Sequence, residues 1–181
     1  MSLTVVGSIA FDAVKTPFGA RERMLGGAAT HFSLAASFFD EVRPVGPVGD
    51  DFGPEDWEVL QTRGTITDDV EHVPGGKTFF WAGEYSENLN ERVTHVTDLN
   101  VFADFEPKLS PAAQVCDVLF LAHIQPDLQL GAREEIVVDR LVARWPTGPR
   151  WPRTTSRSSA PSAWRGSRPT RSPRAWPTCS A

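Results

Sequence analysis

The stretch from Trp145 to Ala181 contains no Val, Ile, Leu, Phe or Met. Without aliphatic side chains it cannot bury enough apolar surface to offset the entropy of ordering the chain, so any core must come from residues 1–144. The same 37 residues hold 7 Arg, 7 Pro, 7 Ser and 4 Trp, and no Asp, Glu or Lys. Setting them aside leaves 11 Lys and Arg against 23 Asp and Glu in residues 1–144, a net charge of −12, although the whole chain carries only −5. Residues 1–144 are enough for one core of ordinary domain size. No apolar run approaches the roughly 20 residues that span a bilayer. Met1–Leu3 leads directly into Thr4–Ile9 with no basic segment, so no secretory signal is expected. Cys116 and Cys179 are the only cysteines, which excludes a disulfide scaffold and a cysteine-rich metal site. A soluble cytoplasmic protein with no membrane partner is the expectation.

Periodicity divides residues 1–144 into alternating strands and helices. Leu3–Ile9 is a β-rich run closed by Gly7 and Ser8, and reads as a buried first strand. Asp12–Thr16 and Arg21–Leu25 flank Pro17-Phe18-Gly19 and read as a hairpin. Gly26-Gly27 opens a helix whose apolar positions Ala28, Phe32, Ala35, Ala36 and Phe39 fall on one face. Val42–Val48 reads as a second buried strand, placed at a sheet edge by Pro44 and Pro47. Pro54–Arg63 reads as a helix, with Glu55 and Asp56 in its first turn and Gly64 as its stop. Thr78–Glu84 and Arg92–Leu99 read as strands joined by the polar turn Ser86–Asn90. Val118–Ala122 reads as a further strand, and Asp127–Arg144 as a long helix with Leu128, Leu130, Ile136, Val137 and Leu141 available for burial. Such alternation argues for an α/β fold with a largely parallel sheet. Segments 12–25 and 78–99 do not fit pure alternation, so a small β-element outside the main sheet is expected.

Three motifs between Val5 and Gly53 carry the chemistry: Gly-Ser-Ile-Ala-Phe-Asp (7–12), Gly-Gly-Ala-Ala-Thr-His (26–31) and Val-Gly-Pro-Val-Gly-Asp-Asp-Phe-Gly (45–53). Asp12 lies just past the first strand, where open α/β sheets bind ligands. A Gly-Gly pair at a helix start allows close backbone approach and offers free N–H groups. A carboxylate that accepts hydrogen bonds, beside backbone groups that donate them, suits a polyol. Taken singly, each reads more readily as structural: Asp12 as a turn or cap residue, Gly26-Gly27 as a turn and His31 as a capped histidine. His123, after the buried run Val118–Ala122, lies at a strand's C-terminal end. Trp81 and Tyr85 alternate on one strand, where stacking on a ligand and packing on a partner fit alike. Pro-Gly-Gly-Lys (74–77) lacks the full phosphate-loop pattern and reads as a turn. His72 and His95 are isolated, which leaves a metal site without support.

In this order and spacing the three motifs resemble the N-terminal half of the ribokinase-like (PfkB) carbohydrate kinases. That family has a Gly-Ser/Asp-x-x-x-Asp first strand, a Gly-Gly-x-x-x-Asn helix start and a Val-Gly-x-Asp-x-x-Gly turn. The resemblance covers about residues 3–144. It implies an α/β three-layer sandwich with a small β lid, incomplete here at the C-terminus, and segments 12–25 and 78–99 would form the lid. It also implies ATP- and magnesium-dependent phosphorylation of a sugar or nucleoside hydroxyl, and a homodimer formed through the lid. By resemblance, Asp12 would hold sugar hydroxyls and Gly26 and Gly27 would line the substrate site. His31 stands where the family has Asn, and Ala10 where Asn is frequent, both at sugar-contacting positions. His31 retains the capacity to hydrogen-bond a hydroxyl, and His123 is a further substrate-site candidate.

The family's Gly-Ala-Gly-Asp motif, which supplies the base and anion hole, does not occur in this sequence, and the one Asn-x-x-Glu spacing, Asn88–Glu91, falls at the polar turn Ser86–Asn90 rather than in the C-terminal half, where the family has the motif that helps place magnesium. Phosphoryl transfer depends on such positioning and charge neutralisation, so this chain is expected to catalyse nothing. It would carry no residues for ATP or Mg2+. The rival reading is a non-catalytic remnant acting as a sugar-binding or dimerisation module. For residues 145–181 the preferred reading is a shifted reading frame. Trp145-Pro146, Trp151-Pro152 and Trp176-Pro177 are each encoded by TGGCCN, which in the neighbouring register reads as Leu, Val or Met followed by Ala. A disordered linker ranks second. A basic single-strand-binding arm, with Arg and Trp interleaved, ranks last.

Overall fold

A computed structural model of the chain describes residues 1–143. The tail from Trp145 onward, with its frame-shift, linker and nucleic-acid readings, lies outside the described residues. The elements in chain order are β1 (Ser2–Val6), β2 (Ala10–Thr16), β3 (Gly19–Gly26), α1 (Ala28–Ala36), β4 (Glu41–Val48), α2 (Pro54–Leu60), β5 (Val70–His72), β6 (Phe79–Tyr85), β7 (Arg92–Asp98), α3 (Pro111–Gln114), β8 (Val115–Leu121), α4 (Pro126–Glu135) and β9 (Val137–Ala143). They build two sheets. The larger has the order β5-β4-β1-β8-β9, and every pairing in it is parallel. The smaller, β3-β2-β6-β7, gathers both segments that broke the alternation.

Successive residues of β1 explain the layering. Val5 and Val6 are both fully buried, yet point to opposite faces. Val5 joins Ile9, Phe11, Ala29, Val42, Val48, Phe52 and Leu60, under α1 and α2. Val6 joins Phe102, Phe105, Ala113, Leu119, Ala132 and Ile136, under α3, α4 and the 3-10 turn Asn100–Phe102. A sheet covered on both faces requires near-continuous apolar strands, as β1, β4 and β8 have.

Three sequence expectations are corrected here. First, β4 is not an edge strand: it lies between β1 and β5. Its prolines are tolerated because neither missing N–H faces a partner. Val42 and Val48 accept from Ile66 and Val73 on the β5 side, and Val45 accepts from Gly7 on the β1 side. Alternation therefore aims Pro44 at the β5 side, where pairing begins only at Gly46, and Pro47 at the β1 side, beyond the last pair, Val6 with Val45. Second, the long helix expected over Asp127–Arg144 stops at Glu135, where Ile136 turns extended (φ −111°, ψ 133°) and β9 begins. Val137-Val138 is β-branched and pairs with Val115-Cys116 of β8, so the strand partner outweighs a helical periodicity that fits equally well. Third, α1 buries Ala29, Thr30 and Ser33, with Phe32 and Ala36 only half-buried, and Phe39 lies beyond its end, 84% exposed. Small residues face the sheet because the helix comes close: a Cβ on Gly7 would stand 2.6 Å from the Ala122 Cβ and 3.4 Å from the Ala29 Cβ.

Candidate functional site at the switch of strand order

From β1 the chain moves one way, through α1 to β4 and through α2 to β5, with both helices on one face. It then returns to the other side of β1 for β8 and β9, with α3 and α4 on the opposite face. The reversal opens a crevice at the C-terminal ends of β1 and β8, the position at which open α/β sheets take ligands. Gly7-Ser8, Ala122-His123 and the start of α1 meet there. The Gly7 N–H donates to Val45 at 3.1 Å, and the Ala122 N–H donates to Val6 at 2.9 Å.

The helix start is more constrained than its sequence suggests. Gly27 sits at φ +95°, and a Cβ there would collide with the Ser8 carbonyl, so only glycine fits. The N–H groups at this end are not all free, as the sequence reading had them. Ala28 donates to the Ser8 hydroxyl at 3.0 Å, and Ala29 to the Ser8 carbonyl at 2.9 Å. Ser8 thereby caps α1 from a distant strand end. No nearby motif announces that role, although a serine following a buried strand is its only sequence trace.

Asp12 lies on β2, the first strand of the smaller sheet, and is half-buried. Its carboxylate rests against the bare Cα of Gly26 on β3, where a Cβ would overlap it. Burial pushes the Asp12 carboxyl above the ordinary aspartate range, and the nearby charge of His31 opposes that rise in part. Asp12, Gly26, Gly27 and His31 are thus brought together at the crevice. His31 is exposed in the first turn of α1. His123 is exposed beside Ala122, on the β8 wall of the crevice, and among the described residues its imidazole makes no hydrogen bond to the other four. Asp50 and Asp51, read as a turn, are a turn. Asp50 accepts from the Gly75 N–H at 2.7 Å, and Asp51 accepts from the Thr78 N–H and hydroxyl, each at 2.7 Å. They fasten the 49–53 loop to Gly75–Thr78, which places Pro74–Lys77 in a structural turn.

The smaller sheet leans on this crevice. Arg23 of β3 donates to the Asp56 carboxylate at 2.7 Å and to the Asp51 carbonyl at 3.1 Å, with its guanidinium 3.7 Å from the Phe11 ring centre. Asp56 also accepts from the Gly53 N–H at 2.9 Å, capping α2. The sequence reading placed Asp56 only in the helix dipole and missed Arg23, because their pairing spans 33 residues. Cavities of about 580 and 320 Å³ lie away from Asp12, beside β5 and the loop that carries Lys108. A shallower hollow of about 430 Å³, lined by Val14, Phe18 and Met24, opens on the sheet face that carries Asp12. Among the described residues no three His, Cys, Asp or Glu side chains are placed to hold a metal ion, and no helix is long and apolar enough to cross a membrane.

No family model and no curated protein matches the sequence. The solved structures do match. A nucleoside kinase from Methanocaldococcus jannaschii, a member of the ribokinase family, is 16% identical, with a TM-score of 0.60 over 77% of this chain and 51% of that one. A nucleoside kinase from Burkholderia thailandensis, solved with inosine, is 15% identical, with a TM-score of 0.58 over 75% of this chain and 51% of that one. A ribokinase from Cryptococcus neoformans var. grubii serotype A, solved with ADP, is 20% identical, with a TM-score of 0.54 over 66% of this chain and 40% of that one. The chain spans about half the length of these kinases. A five-stranded parallel sheet, a second sheet over its C-terminal end and these matches together give the chain the ribokinase-like fold.

Proposed function

We propose that residues 1–143 form the substrate-binding part of a ribokinase-family kinase that phosphorylates a sugar or nucleoside hydroxyl with ATP. The observation that carries this reading is the half-buried Asp12 carboxylate, seated on Gly26 at the switch of strand order and flanked by His31. Ionised, Asp12 accepts hydrogen bonds from two neighbouring hydroxyls. Gly26 and Gly27 let the ligand approach the backbone, and His31 and His123 hydrogen-bond hydroxyls from α1 and from the β8 wall. The smaller sheet serves as the lid, and its exposed outer strands β3 and β7 are the surface through which a second copy would dock.

ATP and Mg2+ enter through the family alone. The described residues offer neither a cluster of metal ligands nor a phosphate cradle, since Ser8 occupies the first N–H groups of α1. No step is therefore assigned to either group, and the function proposed for this chain is binding. Titration calorimetry of the full chain against ribose, fructose and inosine tests it. Binding of at least one ligand is expected, with Asp12→Asn weakening it about tenfold or more, the scale of a lost charge-assisted hydrogen bond. Phosphate transfer from ATP is expected to be absent. Binding unaffected by Asp12→Asn sinks the assignment of the site.

A further inference from the structure

On the face of the smaller sheet that carries Asp12, apolar side chains flank the carboxylate, with Arg21, Thr94 and Thr97 in register around them. In register, Met24 of β3, Asp12 of β2 and Trp81 of β6 form one row across three strands, with side chains on the same face. Val14 continues that face, and Met24 is 42% exposed. A lone pentose bound through its hydroxyls has no use for so much exposed apolar surface beside its anchoring carboxylate.

Trp81 is shaped as a platform. Its six-membered ring lies along its own strand, over Gly83, where a Cβ would collide with the ring. A side chain at position 83 would lift the indole off the sheet, and its absence lets the half-buried ring lie down along the strand. The Arg92 guanidinium stands 5.6 Å from the ring centre at the end farther from Asp12, adding a cation–π contact that steadies the indole. The Asp12 carboxylate leans the other way, towards Gly26. The two groups therefore diverge along the sheet face, one fitted to hydroxyls and the other to a flat π-surface.

Resting on the substrate site proposed above, we infer that Trp81 selects a nucleoside over a free sugar, stacking on the base while Asp12 holds the ribose hydroxyls. Gly83 is the positioning residue that keeps the indole flat. The alternative use of Trp81, packing against a second copy, would leave ligand preference unchanged and is an outcome of the same test.

The experiment compares inosine with methyl β-D-ribofuranoside, which carries the same sugar without a base, by calorimetry on the full chain. Inosine is expected to bind about tenfold or more tightly, the scale of one base–aromatic stack. Trp81→Leu should remove that preference and leave riboside affinity unchanged, Trp81→Phe should keep most of it, and Gly83→Ala should reduce it by displacing the ring. Far-UV circular dichroism shows whether each variant folds, and the two-ligand comparison on the parent chain needs no variant. Equal affinities in the parent, or a preference that survives Trp81→Leu, overturn the platform, while Asp12-dependent riboside binding would leave the site reading intact. Binding of neither ligand overturns both.

Discussion

Among the described residues nine strands divide five and four between two sheets, which use them in opposite ways. In the parallel sheet, Val5, Val6, Val42, Val48, Leu119 and Leu121 are 0% exposed, and helices close both faces. In the smaller sheet, β3 is exposed from Gly19 to Met24 and six of the seven residues of β7 are exposed. Its contribution to the core is confined to one end, where Phe11, Leu25 and Phe80 pack beside Val5 and Phe79 packs beside Val6. The first sheet holds the fold, and the second holds out the groups proposed for binding at little packing gain. Stability and ligand binding should therefore respond to different substitutions.

The largest stability effect is expected in the parallel sheet. Leu119→Ala, at a fully buried position between β1 and β9, should cost about 2–5 kcal/mol in urea unfolding, because the neighbours packed around it under α3 and α4 cannot fully collapse into the cavity. A loss no larger than that of a surface substitution would break the contrast between the sheets.

An intermediate effect is expected where the sheets are tied. Arg23→Ala removes one charged hydrogen bond to the buried Asp56 and the contact over Phe11, but the arginine is 44% exposed and water screens part of the loss. About 1–2 kcal/mol is expected. Glu84→Gln, made on the outer lid, is the paired control. Glu84 is held below the usual glutamate range by Lys15 and then by His95, yet water screens this network, since Lys15 and His95 are exposed and Glu84 is 42% exposed. Its loss should leave the thermal midpoint indistinguishable from the parent, so an equal response to both substitutions would erase the distinction between tied and free ends of the lid.

The sharpest functional effect, with a pH-dependent effect on stability beside it, is expected at Asp12. Its carboxyl is raised by burial, so the folded state binds a proton more readily than the unfolded chain does. Folding stability from this group is greatest in acid and declines as pH rises, from the ordinary aspartate pKa of about 3.9 up through the raised value. Ligand binding runs the other way, since hydroxyls donate to the ionised form. Asp12→Asn should flatten the stability profile over that window while weakening binding, measured by unfolding and calorimetry across pH 3–7. A stability profile unchanged by the substitution would remove burial as the cause.

Local features of the chain were readable where one short-range rule decided them. The 12–25 hairpin, the turn Ser86–Asn90, the Pro54 helix start and the buried runs of β1 and β8 all follow from turn chemistry and period. The proximity of Asp12, Gly26, Gly27 and His31, the residues proposed for the site, was also readable, since they lie within 20 residues of one another. Errors arose where a partner distant in sequence decided the outcome. Residues 136–143 fit a helical period and a strand alike until β8 offers a parallel ladder. Pro44 and Pro47 exclude a central strand until the register shows that neither missing N–H faces a partner.

The sequence by itself determined that strands and helices alternate before residue 144, and it singled out the glycines and the carboxylate proposed for the ligand-binding end. Those properties depend on composition, period and the conformational range of single residues. Tertiary structure alone decided that Ser8 caps α1 across 20 residues, that Arg23 reaches Asp56 and that Trp81 lies flat beside Asp12. Each is a contact between separated segments, and its energy depends on register and direction, which the chain acquires only when both sheets are in place.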